Sequence, residues 1–520
     1  MHDALQDTAW VRTTDGTLTV KDALLHSHEI EGLDLTHPAM EVSATYRLLC
    51  QVYALVAREM GSIKKCRRAP YLDEDAVNRA IELIGSAADP FDAEQPFMQR
   101  PLLRATGPKD TSRKIGPGDQ PIKKLFPFMP PDQAEAFWSL SVKSPDFLEM
   151  PDAIRSLVVF HHFSMAGNNK YDVDKCAMGA PGIRFPGKDN TATEIIWKGR
   201  TLLRTLSLNT PRSWAEGGGL PAWADRTGEK SRDTSSGELS PLWKASWSSN
   251  AAVGFWEDGQ LTGVRTGGIP ADWLPFKGAD KTAMKQWWDS RNTEDPFYLY
   301  LPNEKTGVLQ AQRLDLQRDI IDLAVEWNAA SKSKGLTSGT RSNIGLEGED
   351  DEVIFFRHQV GGTASSPTIR ASEILVGERS IWAPDDETAD NVAEFAEMIR
   401  HLHQAVVGPF RRQRAKDGKS KDGRAPAVLD GLESRRDDAS AFFWREMSEA
   451  FYRYINHVHE DPSWQEEDQK LVREAAMRAF DQAVAPFADR YRTTVPYVRG
   501  RVADSIRYWM SPTRTENHDD

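Results

Sequence analysis

The residues of this chain with types suited to chemistry are its histidines, its carboxylates and its clustered cations. His401 and His403 form one His-x-His pair, and His457 and His459 form another. A di-metal centre between helices needs Glu-x-x-His on two of them and a Glu from each of two others. Here Glu397 stands four residues before His401, and no Glu stands three before His457 or His459. His161 and His162 are adjacent, so a helix points them about 100° apart, and they read as histidines with ordinary hydrogen-bond partners. His518, Asp519 and Asp520 lie in a polar tail. A phosphate-binding loop needs GxxxxGK[ST]. The nearest match, Gly418-Lys419-Ser420, has Gln413 in place of the first glycine and no apolar strand before it. No GxGxxG follows a strand, and no HExxH, CxxC or GxSxG occurs. The chain is therefore expected to be no enzyme and to hold no metal or cofactor. The alternative is a metal-dependent nuclease or hydrolase whose scattered Asp and Glu meet only in the fold.

The cations are more organised. Formal net charge is -12, which excludes a protein that coats nucleic acid over its whole surface. Three local basic clusters stand against it: Arg58, Lys64, Lys65, Arg67 and Arg68; Arg104 to Lys124; and RRQRAKDGKSKDGR from Arg411 to Arg424. Basic loops on an acidic body suit a subunit that touches nucleic acid at a few places, each neutralised phosphate adding about 0.9 to the salt slope of binding.

The elements that would position these groups divide into two parts. With 39% hydrophobic residues, 16 Trp and 21 Phe, the chain has material for a core. At ~100–200 residues per domain it holds two to four domains. Three cysteines, Cys50, Cys66 and Cys176, give no disulfide framework. No apolar run approaches the ~20 residues that span a bilayer, and the N-terminus has no signal-peptide pattern. A cytoplasmic location with no membrane partner is expected.

Residues 1–384 read as a mixed α/β, irregular domain and 385–520 as a four-helix bundle, an α+β chain overall. In the first part, 17–20 reads as a strand and 38–60 as a helix with Val42, Tyr46, Leu49, Val52, Tyr53 and Val56 on one face. Residues 73–87 read as a helix capped by Asp73, 101–131 as an irregular loop, and 152–167 as a buried helix ending near Gly167. Residues 254–264 read as a hairpin with an Asp-Gly turn. Strands are expected at 296–302 and 351–360, and a helix at 313–334. In the second part, helices at 387–407, 437–459, 465–485 and 490–510 carry apolar stripes at i, i+3, i+4, i+7 spacing, with 411–424 as the loop joining the first two.

The order of segments resembles the CasA family, the large subunit of type I-E CRISPR Cascade surveillance complexes. The resemblance runs through TLTVKDALLHSHEIEGL, TYRLLCQVYALV, PFMQRP, VVFHHFSMAG, GAPGIRF and WKGRTLLRTLSLN to the C-terminal helices. It implies a subunit that recognises a short protospacer-adjacent motif, the PAM, in double-stranded DNA through the minor groove. Such a subunit helps start R-loop formation and recruits a helicase-nuclease. The implied partners are guide RNA, the other Cascade subunits, the target duplex and the helicase-nuclease.

Three family features map onto this chain. A loop anchoring the subunit to the guide-RNA handle corresponds to 129–145, with Phe137, Trp138 and Lys143. A glycine loop approaching the PAM duplex corresponds to Gly167, Asn168, Asn169 and Lys170, with fewer glycines than the family pattern. A lysine finger maps to Lys305 in the LPNEKTG turn. A wedge maps to the turn 360–368, through Thr363, Ser365 and Ser366, where the family pattern often carries Asn or Gln. Arg411, Arg412 and Arg414 are the candidates for the displaced strand. The remaining rival is an assembly subunit that never contacts DNA.

Overall fold

The computed structural model describes residues 2–101, 122–127, 145–164, 169–170, 175–176, 181–182, 190–276, 280–292, 295–298, 300–302, 309–311, 321, 324–325, 352–363, 366–378, 388–414, 424–425, 427–458 and 466–511. The chain divides into two compact units. One comprises Met1–Asp315 and Thr337–Val376, the other Leu316–Leu336 and Gly377–Asp520. Among the described residues no helix is long and apolar enough to cross a membrane.

The first unit mixes short helices with small antiparallel sheets. It runs β1 (Val11–Thr13), β2 (Gly16–Leu18), α1 (Val20–Leu25), α2 (Ala39–Glu59), α3 (Ile63–Arg68) and α4 (Glu74–Ile84). There follow α5 (Met150–Phe163), β3 (Asn169–Lys170), β4 (Lys175–Cys176), β5 (Asn190–Lys198), α6 (Leu202–Asn209), α7 (Arg212–Glu216) and α8 (Pro241–Ser246). Then come β6 (Asn250–Glu257), β7 (Gln260–Gly268), α9 (Lys281–Asn292), β8 (Tyr300–Pro302), β9 (Leu309–Ala311), β10 (Glu352–Thr363) and β11 (Ser366–Glu378).

Local chemistry explains the boundaries. Thr19 accepts from the Asp22 amide and donates to the Asp22 carboxylate. This reciprocal cap starts α1 at Val20, so the strand expected over 17–20 stops at Leu18. Asp73 caps α4 by accepting from the Ala76 amide, as its sequence position requires. The β6–β7 hairpin turns at Asp258 and Gly259, both at positive φ (49° and 80°), which is the type I′ geometry that Asp-Gly favours. The helix expected over 152–167 ends at Phe163. Gly182 meets the last turn, its amide donating to His162 O at 2.6 Å. A Cβ at Gly182 would lie 2.6 Å from that oxygen and 2.8 Å from Phe163 Cε1, so the close approach to this helix end requires a glycine, and Ser164 is the helix cap. Of the strand expected over 296–302, only Tyr300–Pro302 is extended in the described residues. Phe297 and Tyr298 form a buried turn because Asp295 accepts from the Phe297 amide. The helix expected over 313–334 is described only at 321 and 324–325, which are helical. Most of the loop expected over 101–131 lies outside the described residues.

The core is built around α2. The sequence pattern gives it one apolar face, but every residue from Ala39 to Ala57 except Glu41 is buried. It packs against α3, α4, α5, α6 and α7. A helix enclosed on all sides must satisfy its polar groups internally, and Ser43, Arg47 and Gln51 are the residues this forces inside.

In the second unit four long helices carry the core: Ala389–Val407, Arg436–His457, Glu466–Val484 and Thr494–Trp509. The 389–407 helix packs on each of the other three, and 466–484 also packs on 436–457 and 494–509. Val392, Phe395, Ile399, Leu402 and Val406 are all buried, as are Phe443, Met447, Tyr454, Phe480 and Val502. The helix expected from 490 begins at Thr494. Trp509 is half-buried, its ring stacked on His401 with centroids 3.6 Å apart. His403 bonds Ser440 Oγ at 2.8 Å, and His457 pairs its two nitrogens with Arg453 O and Asp468. The described histidines of the two His-x-His pairs thus have separate partners, and His459 lies outside the described residues.

Candidate nucleic-acid interface

The sheet β11-β10-β5 is the best-defined platform for a protruding loop. β10 pairs with β5 from Glu352↔Lys198 to Val360↔Asn190. Among the described residues β10 runs on to Thr363, beyond its last described pair with β5. The turn between β10 and β11 is shorter than the 360–368 span expected, because strand geometry persists to Thr363 and resumes at Ser366. Gly361 and Gly362 lie at the turn end of β10, where the absence of side chains lets another backbone approach. Pro367 is tolerated because β11 is an edge strand.

The root of this hairpin is held by buried charge. Glu194 of β5 receives Arg47 of α2, with the Arg47 Nε–Glu194 Oε1 distance at 2.7 Å. Ser43 Oγ donates to the other carboxylate oxygen at 2.5 Å. Arg47 also bonds Asp295 at 3.2 Å and lies over the Phe297 ring at 4.4 Å. His358 of β10 stands 3.7 Å from Glu194 and bonds Ser372 Oγ of β11 at 2.7 Å. One step along β10, buried Arg357 pairs with Glu373 of β11. A chain of polar contacts thus runs from α2 through β5 and β10 to β11. Burial alone would raise the Glu194 carboxyl, but Arg47 and the His358 and Ser43 contacts hold it below its usual range. Burial would lower Arg47, and Asp295 and Glu194 outweigh it, so its guanidinium is raised.

Adjacent to this network, His162 is fully buried. Its Nδ1 bonds Val158 O at 2.9 Å and its Nε2 lies 3.3 Å from Gln51 Nε2. Gln51 in turn accepts from the Trp223 indole at 2.7 Å. Burial pushes the imidazole down to about 4, against a weaker upward pull from the Val158 carbonyl. His161 is likewise buried and bonds Ser246 O at 2.8 Å.

The remaining sequence candidates fall as follows. Asn169 and Lys170 form β3, paired as Asn169↔Cys176 and Lys170↔Lys175 in a two-residue antiparallel ladder. Gly167 and Asn168 lie outside the described residues. So do Lys305, Ser365, Phe137, Trp138 and Lys143. The strands flanking Lys305 are described: β8 and β9 pair from Tyr300↔Ala311 to Pro302↔Leu309. Arg411 and Arg412 are exposed just after the 389–407 helix, and Arg412 Nε stands 3.8 Å from Glu433. Arg414 pairs with Arg424 in a two-residue ladder that closes the 411–424 segment. The Arg47–Glu194–Asp295 cluster is what the sequence reading missed.

Comparison with known proteins gives one concordant picture. Residues 5–247 match the family model of CRISPR-associated protein Cse1. No curated protein matches the sequence. Among solved structures, CasA of Thermus thermophilus superposes with a TM-score of 0.65 at 17% identity, covering 98% of this chain and 100% of that one. Cse1 from Acidimicrobium ferrooxidans gives 0.64 at 17% identity, covering 98% of each. A chain of a CRISPR RNA-guided surveillance complex gives 0.66 at 15% identity, covering 97% of this chain and 99% of that one. At these identities the likeness is one of fold.

Proposed function

Proceeding from the chain's membership of the Cse1 (CasA) family, which rests on residues 5–247 and a shared fold, we propose that it is the large subunit of a type I-E Cascade surveillance complex. In that role guide RNA reads the target by base pairing, while this subunit reads the short PAM and starts local melting. It makes and breaks no bond itself. It presents a surface to the helicase-nuclease that degrades the target.

The observation that carries this reading is the β10–β11 hairpin on its charge-braced root. A wedge must unstack a base step at a cost of a few kcal/mol, so it needs a root that does not yield. Thr363, Ser365 and Ser366 are the wedge candidates. Asn169 and Lys170 at the β3–β4 hairpin, with Gly167 and Asn168 before it, approach the minor groove, whose acceptor pattern is degenerate. That suits a reader tolerant of several trinucleotides. Lys305, between β8 and β9, supplies the finger. Phe137, Trp138 and Lys143 hold the guide-RNA handle.

The test is a reconstituted complex challenged with duplexes carrying mixed trinucleotides. Lys305→Ala and Asn169→Ala should each weaken binding of a PAM-bearing duplex about 5- to 10-fold, as expected for one lost hydrogen bond. Binding of a duplex without a PAM should not change. Equal losses on both duplexes, or none on either, would sink the assignment. Metal analysis and nuclease assays with magnesium or manganese address the hydrolase alternative on the same preparation.

The four packed helices of the second unit we read as a four-helix bundle lining the displaced strand, with the 411–424 segment as its contact. Changing Arg411, Arg412 and Arg414 together to Gln should lower the salt slope of target binding by up to about 2, at ~0.7 per single-strand phosphate. The loss is largest at low salt. An unchanged slope would make the segment a bystander.

A further inference from the structure

The first basic cluster of the sequence is not used by the reading above, and the structure splits it into two populations. Arg58 and Arg67 turn inward. Arg58 donates to Ala215 O at 3.1 Å, Gly219 O at 2.7 Å and Trp214 O at 3.2 Å, and Arg67 donates to Thr210 O at 2.9 Å. Lys64, Lys65 and Arg68 point outward from α3 and are exposed. Ile63 and Cys66 form its buried side.

The outward cations repel one another. Lys64 and Arg68 are four residues apart and Lys65 and Arg68 three, spacings that bring like charges together on a helix face at a cost of a few tenths of a kcal/mol per pair. α3 packs against α6 and α7, and these bring Arg204 and Arg212 close enough to act electrostatically on Arg67. The helix C-terminus tolerates cations, but that does not explain why three elements gather them in a chain of net charge -12.

The nearby acids are engaged elsewhere. Glu59 pairs with Arg79 at 3.0 Å and Glu216 with Arg212 at 2.5 Å. Asp73 caps α4, and Glu74 and Asp75 occupy its first turn, where carboxylates favour the helix dipole. Among the described residues, no carboxylate lies within ion-pair distance of Lys64, Lys65 or Arg68.

We propose that the outward face of α3, carrying Lys64, Lys65 and Arg68, is a sequence-independent binding site for the phosphate backbone of nucleic acid. The charge pattern favours phosphate over an acidic protein. A protein interface needs apolar or aromatic anchors at its centre. Among the described large hydrophobic residues only Tyr71 is exposed in this stretch. Phosphates require only positive charge at suitable spacing. The site is independent of the PAM loops, so it acts on any sequence and in the isolated chain.

The experiment is fluorescence anisotropy of the full chain on a scrambled duplex from 50 to 200 mM salt. With Lys64→Gln, Lys65→Gln and Arg68→Gln combined, the slope of log affinity against log salt should fall by about 2–3. The advantage of the original chain over the variant should then shrink about 40-fold across that range. The charge-preserving combination Lys64→Arg, Lys65→Arg and Arg68→Lys should bind like the original. Three outcomes would overturn the proposal: an unchanged slope in the glutamine variant, an equal loss in the charge-preserving one, or duplex binding kept while assembly with other subunits is lost. Failure here leaves the trinucleotide-dependent test of Lys305 and Asn169 standing, and the reverse also holds.

Discussion

Arg47→Met should destabilise the first unit by about 3–5 kcal/mol, the penalty for stranding a buried charge. Arg47 and Glu194 are both essentially inaccessible, at 2% and 0% side-chain exposure, and Asp295 at 1% shares the guanidinium. Methionine fills much of the arginine volume, so packing loss is small and the effect isolates the charge. Two carboxylates then remain buried without their cation. Adding Glu194→Gln should restore part of the loss, because one of the stranded charges is removed. Arg47→Lys should fall between, since a point charge cannot reproduce the fork that reaches Glu194 and Asp295 together. Urea unfolding followed by tryptophan fluorescence measures this, Trp197, Trp214 and Trp223 being buried in the same unit. A loss below about 1 kcal/mol, the range of a solvent-exposed pair, would show that water reaches the cluster.

Acid should weaken the same unit before its carboxylates are protonated. His162 titrates near 4 in the folded chain against an ordinary value of 6.5. Between those values the unfolded chain takes up a proton that the folded chain refuses, so stability is complete above about pH 6.5 and is lost as pH falls toward 4. The total is about 3 kcal/mol at 1.36 kcal/mol per pKa unit. Geometry explains the refusal. Nδ1 donates to Val158 O, so Nε2 must accept from the Gln51 amide. Gln51 cannot turn its oxygen to a protonated ring, because that oxygen already accepts from Trp223. Arg47 opposes a second cation, while Glu194 and Asp295 act in the other direction, and burial outweighs them. Glu194, held below its usual range, adds a further loss only below about pH 4.5. Stability measured from pH 7.5 to 4.5 should slope downward in the original chain and flatten in His162→Gln. The carbon and proton shifts of the His162 ring provide a second readout. A ring that titrates near 6.5, or an unaltered slope in the variant, would discard this account.

Much of the scaffold is legible in the sequence because local chemistry decides it. Asp73 as a cap, Asp258-Gly259 as a turn and the apolar stripes of the last four helices are short-range signals, and the structure keeps all of them. The differences arise where distant residues intervene. Gly167 is a reasonable helix stop by local rules, but the helix ends at Phe163, where Gly182, 15 residues beyond Gly167, bonds the His162 carbonyl of its last turn. Asp295 turns an apparent strand into a loop because it also faces Arg47, a partner 248 residues away. The buried cluster does leave one trace in the sequence. Ser43, Arg47 and Gln51 recur every fourth residue in a helix whose other positions are largely apolar, a polar line on one side. Such a line reads equally well as a wet face. Only the elements that close over it, β5, β10 and the 295–298 turn, distinguish the two. Of the proposed contact residues, the strands locate Thr363 and Ser366 at a hairpin end and Asn169 and Lys170 in a two-residue ladder. Their partners are other molecules, about which periodicity carries no information.

The division of the chain has a consequence for its synthesis. Because 316–336 belongs with 377–520, the polypeptide passes between the units three times, near 315, 336 and 376. Ile321, Ala324 and Val325, buried in the second unit, leave the ribosome well before the helices beginning at Ala389. They must wait as exposed apolar surface while the strand residues 352–376 complete the first unit. No single cut in the chain separates the two units cleanly. A fragment starting at 377 would lack that early piece of its own interior, with an uncovered apolar patch prone to self-association.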